Sequence, residues 1–291
     1  MNNKIHYNQN ITQNLSFLAA QRFIYSEAKK LELFQFTFTV LGVVLMAFVV
    51  EYYTNVKYIA AVYSIFIFFI DLFIIRPAID NKTTSATKIQ EIFDCKLYKI
   101  PWNKVLLGNK PDIDEIIIAS NSYLEKYKNF DDLKDWYAVN KDIDFSSACY
   151  ICQKINCWWD SKLRKYYGIF LFLILGIITM ILFSLYSEEF LQNLLYISSL
   201  FLPIYSFFIS KIKNNFSASS NLHSLKCIAD KIIVSKASSN IQSNISHRDL
   251  QNEIARSRLN NNLVPDYFYN LFKFDFEKKA KILVKSIFKI N

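Results

Sequence analysis

Four apolar runs interrupt an otherwise polar chain: Leu33 to Tyr53, Val56 to Ile75, Ile169 to Tyr186, and Phe190 to Ile209. Each approaches the roughly 20 helical residues needed to cross a bilayer core of about 30 Å. They fall in two pairs with very short links, the second link holding Glu188 and Glu189. Two tight transmembrane hairpins are therefore predicted. Ahead of the first run, Ile11, Leu15, Leu18, Ala19 and Phe23 recur at helical intervals, which predicts a helix feeding the first span after a loose polar stretch over residues 1–10.

The stretch from Cys149 to Tyr167 reads as one helix that runs into the third span without a break. Cys149, Cys152, Asn156, Trp159, Leu163 and Tyr166 share one helical face, and Gln153, Cys157, Asp160 and Arg164 share another. The first face is expected to pack and the second to pair charges. Asp160 precedes Arg164 by four residues, an arrangement that contributes roughly 0.2 to 0.5 kcal/mol when exposed. Between the hairpins, Pro111 and Asp112 mark a helix start, and an acidic aromatic patch, FDDLKDWYAV, leads to the central helix. Beyond the fourth run, Ile212, Phe216, Leu222, Leu225, Ile232 and Ile233 form a packing stripe. A break is expected at SKASSN and a last helix near Pro265 and Asp266.

The predicted fold class is an all-α membrane protein: four transmembrane helices in two hairpins, with a helical cytoplasmic domain built from the central insert and the C-terminal tail. The parts are an N-terminal cytoplasmic or interfacial helix (1–32), hairpin one (33–76), an insert ending in the continuous helix (77–168), hairpin two (169–210) and a helical C-terminal region (211–291).

Charge supplies the orientation. Of the 34 Lys and Arg residues, only Lys57 lies in an outer link, so both termini and the insert are expected on the cytoplasmic side. The same rule accounts for the net charge of +9 without a nucleic acid. Four glycines and five prolines in 291 residues leave no material for a phosphate-binding glycine loop and point to helical rather than β-rich polar parts.

Two residues inside the runs are candidates for a pore or gate. Asp71 is the only acid within the second run, where a central Asp costs about 2.5 to 3.5 kcal/mol that the surrounding apolar residues offset. It faces a pore or partner helix, or it reaches Arg76 at the polar end. Pro203 kinks the fourth span, either as a hinge or as a packing feature.

Cys149, Cys152 and Cys157 have a spacing that invites zinc. The three histidines, His6, His223 and His247, are remote in sequence, and the thiols divide between two helix faces. Buried thiols, no metal and no cofactor are expected. No protease, nucleophile-elbow, Walker or dinucleotide motif is present, so no enzymatic activity is expected. Trp102, Trp136, Tyr137, Trp158, Trp159, Arg164, Arg256 and Arg258 interleave rings and guanidinium groups, which suits a cyclic oligonucleotide and suits core packing as well.

Four blocks carry a family resemblance: IQEIFDCKLYKIPWNK (Ile89 to Lys104), DWYAV (Asp135 to Val139), ICQKINCWWDSKLRKYY (Ile151 to Tyr167) and LQNEIARSRLNNNLVPDYFY (Leu250 to Tyr269). In this order, with this span count, the chain resembles the SMODS-associated four-transmembrane effector family of bacteria. Lys154 stands where Arg is usual and Tyr267 where Trp is common, and Lys in place of Arg keeps charge but loses the bidentate fork. The resemblance implies a homo-oligomeric effector of the inner membrane that senses a cyclic oligonucleotide made by a neighbouring nucleotidyltransferase and then permeabilises the lipid bilayer. Gln153, Asn156, Asp160 and Arg164 are the expected working face of the central helix. Trp158 and Trp159 would pack it to its neighbours, and Arg256 and Arg258 are further ligand candidates. A membrane scaffold that recruits a soluble partner, or a small transporter, remains the alternative.

Overall fold

A computed structural model describes residues 3–139, 141–186, 194–237 and 245–287. Nine helices order the described residues, with no strand among them: α1 (Ile5–Asn8), α2 (Thr12–Tyr52), α3 (Lys57–Tyr98), α4 (Lys104–Leu107), α5 (Ile113–Tyr127), α6 (Phe145–Tyr186), α7 (Leu194–Ala237), α8 (His247–Asn260) and α9 (Asp266–Ile287). Three of them, α2, α3 and α6, are long and apolar enough to cross a membrane. The apolar start of α7 lies among them. The expected outer link with Glu188 and Glu189, and the start of the fourth run at Phe190, lie outside the described residues, as does the end of SKASSN.

Two cores divide the length of these helices. One joins Val40, Val43, Ala60, Ile67, Leu171, Leu200, Ile204 and Phe208 between the apolar halves. The other gathers Leu18, Phe93, Leu97, Tyr123, Leu133, Ile151 and Leu222 in the polar domain. Outside the first core, Leu45, Val62, Phe66, Phe73, Phe172 and Met180 point outward and exposed. An apolar belt of that kind is stable against lipid and a liability in water.

Both helices of the first hairpin contain a π turn, Thr37–Leu41 in α2 and Asp71–Ile75 in α3. Each has a local cause. Pro77 lacks the N–H that would close a regular turn onto the segment before it, and the widened turn accommodates its ring. In α2 the Phe38 carbonyl accepts from the Tyr63 hydroxyl at 2.9 Å. Gly42 makes room for that approach, since a Cβ there would stand 2.2 Å from the Tyr63 oxygen.

Several predicted elements stand where the sequence places them. Asp112 precedes α5, α9 begins at Asp266, and α6 spans 42 residues without interruption. The expected loose N-terminus is corrected: Ile5 is fully buried, the Asn3 amide donates to the Ile143 carbonyl at 2.8 Å, and Gln9 accepts from Tyr137 N–H at 2.8 Å and donates to its carbonyl at 3.2 Å. Side-chain amides that satisfy a distant loop leave no hydrophobic period to read. The division of α6 into a packing and a charge-pairing face is also corrected, because Gln153 and Cys157 are as buried as Cys149 and Cys152. The helix runs through the middle of the polar domain.

Gln9→Ala strands a buried N–H and carbonyl of Tyr137, so it is expected to lower unfolding free energy by about 1 to 3 kcal/mol. Tyr7→Ala, at an exposed side chain, should stay within about 0.5 kcal/mol in the same detergent-solubilised denaturation experiment.

Candidate functional site

The centre of the polar domain is ionic. Glu91 and Asp94, one turn apart on α3, are both fully buried. Their partners come from one face of α8, where Arg248, Gln251 and Arg258 align. Arg248 Nη2 donates to Glu91 at 2.7 Å, Arg258 Nη1 to Asp94 at 2.7 Å, and Gln251 to Glu91 at 2.7 Å and Asp94 at 3.1 Å. Tyr137 donates its hydroxyl to Asp94 at 2.8 Å and accepts from Asn156 at 3.4 Å. Gln153 closes the network from α6, donating to Gln251 and to the His247 carbonyl, each at 3.0 Å. Burial, with Asp94 adding to it, raises the pKa of Glu91.

Arg258 is therefore committed to carboxylates inside the protein, whereas Arg256, two residues away, is exposed and, among the described residues, pairs with Glu253 at 2.7 Å. Arg256 lines an open groove of about 490 Å³ between α7 and α8, with Ser217, Asn221, Ser224, Ser257 and Asn260. Amides, hydroxyls and a guanidinium are groups that hydrogen-bond nucleobase edges and phosphate. The volume is in the range of small-ligand sites.

Lower on α6, Arg164 Nε lies 2.9 Å from Asp160, as the spacing predicts. The same guanidinium donates to the Asn262 carbonyl at 2.8 Å and contacts Asn215 Oδ1 at 3.4 Å. It thus ties α6 to α7 and to the link before α9. Ser161 and Ser219 exchange hydroxyl-to-carbonyl bonds at 2.8 Å, and Lys154 pairs with Asp230 of α7. Trp158 packs on Phe276 at 5.5 Å between centroids, and Trp159 on Tyr269 at 6.1 Å and Phe276 at 5.4 Å. The rings bind α9 to α6.

At the polar end of the apolar segments, Asp71 is buried between the Gln35 amide at 2.6 Å and Arg76 at 2.6 Å. Arg76 Nη2 continues to Ser206 of α7 at 2.8 Å, and Lys211 of α7 pairs with Glu32 of α2. Three helices are laced together at one level. Pro203 is buried inside α7, eight residues before Lys211.

The cysteines form no common cluster, and no group of metal-ligating residues occurs among the described residues. Burial pushes Cys149 and Cys157 up to about 12, and Cys152 is raised still more clearly by burial with Cys149 adding to it. The sequence reading missed Glu91, Asp94, Arg248 and Gln251. Their signal was two acids flanking Ile92 and Phe93 on a buried stretch, legible only with α8 alongside.

A family model described as the SMODS-associating 4TM effector domain matches residues 3–287. The chain belongs to this family. A protein from Bacillus cereus strain VD146, named a probable CBASS effector molecule, is 25% identical over 295 residues, covering 97% of this chain and 98% of that protein. No solved structure matches. With its long apolar helices, the chain is a membrane protein of this effector family.

Arg258→Met removes the cation from a dry carboxylate pair and is expected to destabilise by about 3 to 5 kcal/mol, against at most about 0.5 kcal/mol for Arg256→Ala, in denaturant melts of both variants. His247 gives a pH signature. Its ring lies tilted against Tyr150, 3.8 Å between centroids, and its pKa is lowered from 6.5 to about 4 by burial, with Lys236 adding to it. The unfolded chain takes up the proton first, so stability should fall as pH drops from about 6.5 to about 4. In His247→Gln, melts across that range should lack this component.

Proposed function

We propose that the chain is a membrane effector of bacterial antiphage defence that permeabilises the inner membrane when its polar domain binds a cyclic oligonucleotide second messenger. Family membership and the name of the Bacillus cereus relative support the setting. In this reading both termini and the polar domain are cytoplasmic, the apolar start of α7 completes four spans, and a cognate nucleotidyltransferase supplies the messenger. The protein performs no chemistry of its own. Several copies assemble, because four spans from one chain are too few to enclose a wide pore.

One observation carries the mechanism: α6 is a single helix from Phe145, inside the polar domain, to Tyr186, beyond the apolar core. Its length is about 63 Å at 1.5 Å per residue. No loop separates sensor from span to absorb a displacement. The messenger is received in the groove between α7 and α8, where Arg256, Ser217, Asn221 and Asn260 face solvent. Arg164 carries the motion onward, since it fastens α6 to α7 at the boundary of the two cores. A shift from 1:99 to 99:1 in favour of the open state requires about 5.5 kcal/mol of differential binding, within reach of a multiply charged ligand.

Purified protein in liposomes should leak dye and ions with one member of a panel of cyclic di- and trinucleotides and remain tight with the others. Arg256→Ala should raise the nucleotide concentration needed by at least about tenfold, the loss of one charge-assisted contact. Arg164→Ala should bind nucleotide, insert normally and fail to leak or kill. Silence across the panel, with insertion verified, would leave a scaffold that recruits a soluble partner, and exchange of solute without nucleotide would mark a transporter.

A further inference from the structure

The outer face of α9 is apolar although its inner face is already satisfied. Phe268, Phe272 and Phe276 pack on Trp159, Tyr166, Tyr167 and Phe170 of α6. Facing away, Tyr267 (60% exposed), Leu271 (72%), Phe274 (81%) and Ile282 (54%) form a stripe at helical spacing. Lys278 and Lys281 lie along the same stripe, exposed, while Lys273 and Lys279 pair with Glu277 and Asp275 beside it. Lipid cannot cover this ridge. Asp266 meets Lys29 of α2, and α9 then climbs along α6, so Ile282 stands about 24 Å further from the apolar belt at 1.5 Å per residue.

A groove of complementary character lies on another flank, where α5 packs on α2 and α3. It has a volume of about 930 Å³ and an apolar lining of Phe23, Ile24 and the exposed Ile118. Its rim carries Asp112, Asp114 and Glu115 against the single cation Lys82, an acidic excess opposite the basic ridge.

We infer that the α9 ridge of one copy docks in the α2–α3–α5 groove of the next, a head-to-tail contact that repeats around an axis along the membrane normal. Height decides for a second copy. Copies inserted in one membrane cannot slide past one another along the normal, so contacting surfaces must sit at equal distance from the bilayer. Lys29, which anchors the start of α9, is four residues before Leu33, or about 6 Å. Asn81, at the mouth of the groove, is five residues after Arg76, or about 7.5 Å. Ridge and groove start level. A contact between two different patches of identical subunits closes into a ring when its rotation allows, and the common membrane plane excludes a helical pitch. This rests on the pore reading only for its purpose, not for its geometry.

The test is cysteine cross-linking of the full chain in native membrane vesicles, in a Cys227→Ser background that leaves the four buried thiols in place. Phe274→Cys combined with Ile118→Cys should give a ladder of dimers, trimers and larger species with a short bis-maleimide, and each single variant should stay monomeric. Dimers from Phe274→Cys alone would show two ridges facing each other and overturn the inference. So would the absence of any ladder when both thiols label with a monofunctional maleimide. Lys278→Glu with Lys281→Glu should cut cross-linking by about tenfold, through like charges set against the acidic rim. Adding Asp112→Lys and Asp114→Lys should restore it, which a misfolded chain would not do. Leakage recorded on the same vesicles separates the two readings: a ladder without leakage keeps the interface and removes the pore, and leakage without a ladder does the reverse.

Discussion

Two carboxylates one turn apart, sealed from water, cannot stand without cations, and Glu91 and Asp94 set this requirement at the centre of the polar domain. Desolvating such a pair costs several kcal/mol per ion and is offset only by well-formed bonds. Arg248, Gln251 and Arg258 supply them from α8, Tyr137 from the loop after α5, and Gln153 joins through α6. Elements far apart in sequence are thereby held to one register. A sliding of α8 by one residue would turn its cations away from both acids, while the apolar core around it would lose much less. The hydrophobic contacts provide cohesion, and the charges select the arrangement.

A second polar layer lies where apolar and polar halves of the long helices meet. Gln35 on α2, Asp71 and Arg76 on α3 and Ser206 on α7 form one bonded set, and Glu32 on α2 with Lys211 on α7 forms a second beside it. Groups of this kind are costly in hydrocarbon and unremarkable in water, so their pairing at one level fixes how deeply each helix can sit. The Arg164 fastening lies close by along α6, and the two cores meet at Trp158.

What could be read in advance follows the range of the interactions. Apolar runs, the start of α5 at Asp112, the start of α9 at Asp266 and the Asp160–Arg164 pair are local, and the local pattern suffices for them. Gln9, Glu91 and Arg258 act over more than a hundred residues of chain, and no periodicity announces a bond to a distant backbone or carboxylate. Arg256 and Arg258 show the limit most clearly. They are the same residue type two positions apart on α8, one lining an open groove and the other locked in the interior. Which is which depends on the rotation of α8 against α3, a property of the packed pair. The residues that line the groove are small and polar and resemble any solvated face until α7 and α8 are set beside each other.

The π turns in α2 and α3 each hold one residue more than a regular helix needs over the same rise, and they lie at matching depth, with Gln35 just before one bonded to Asp71 at the start of the other. Each is slack wound into an otherwise straight rod. Drawing it out would advance the helix beyond by one screw step, about 1.5 Å along the axis and 100° around it, with backbone pairing kept throughout. Loss of a single residue at either turn would leave a regular helix over the same rise, so the distal half would keep the strip of side chains it presents to lipid, whereas the same deletion elsewhere in the helix would rotate it.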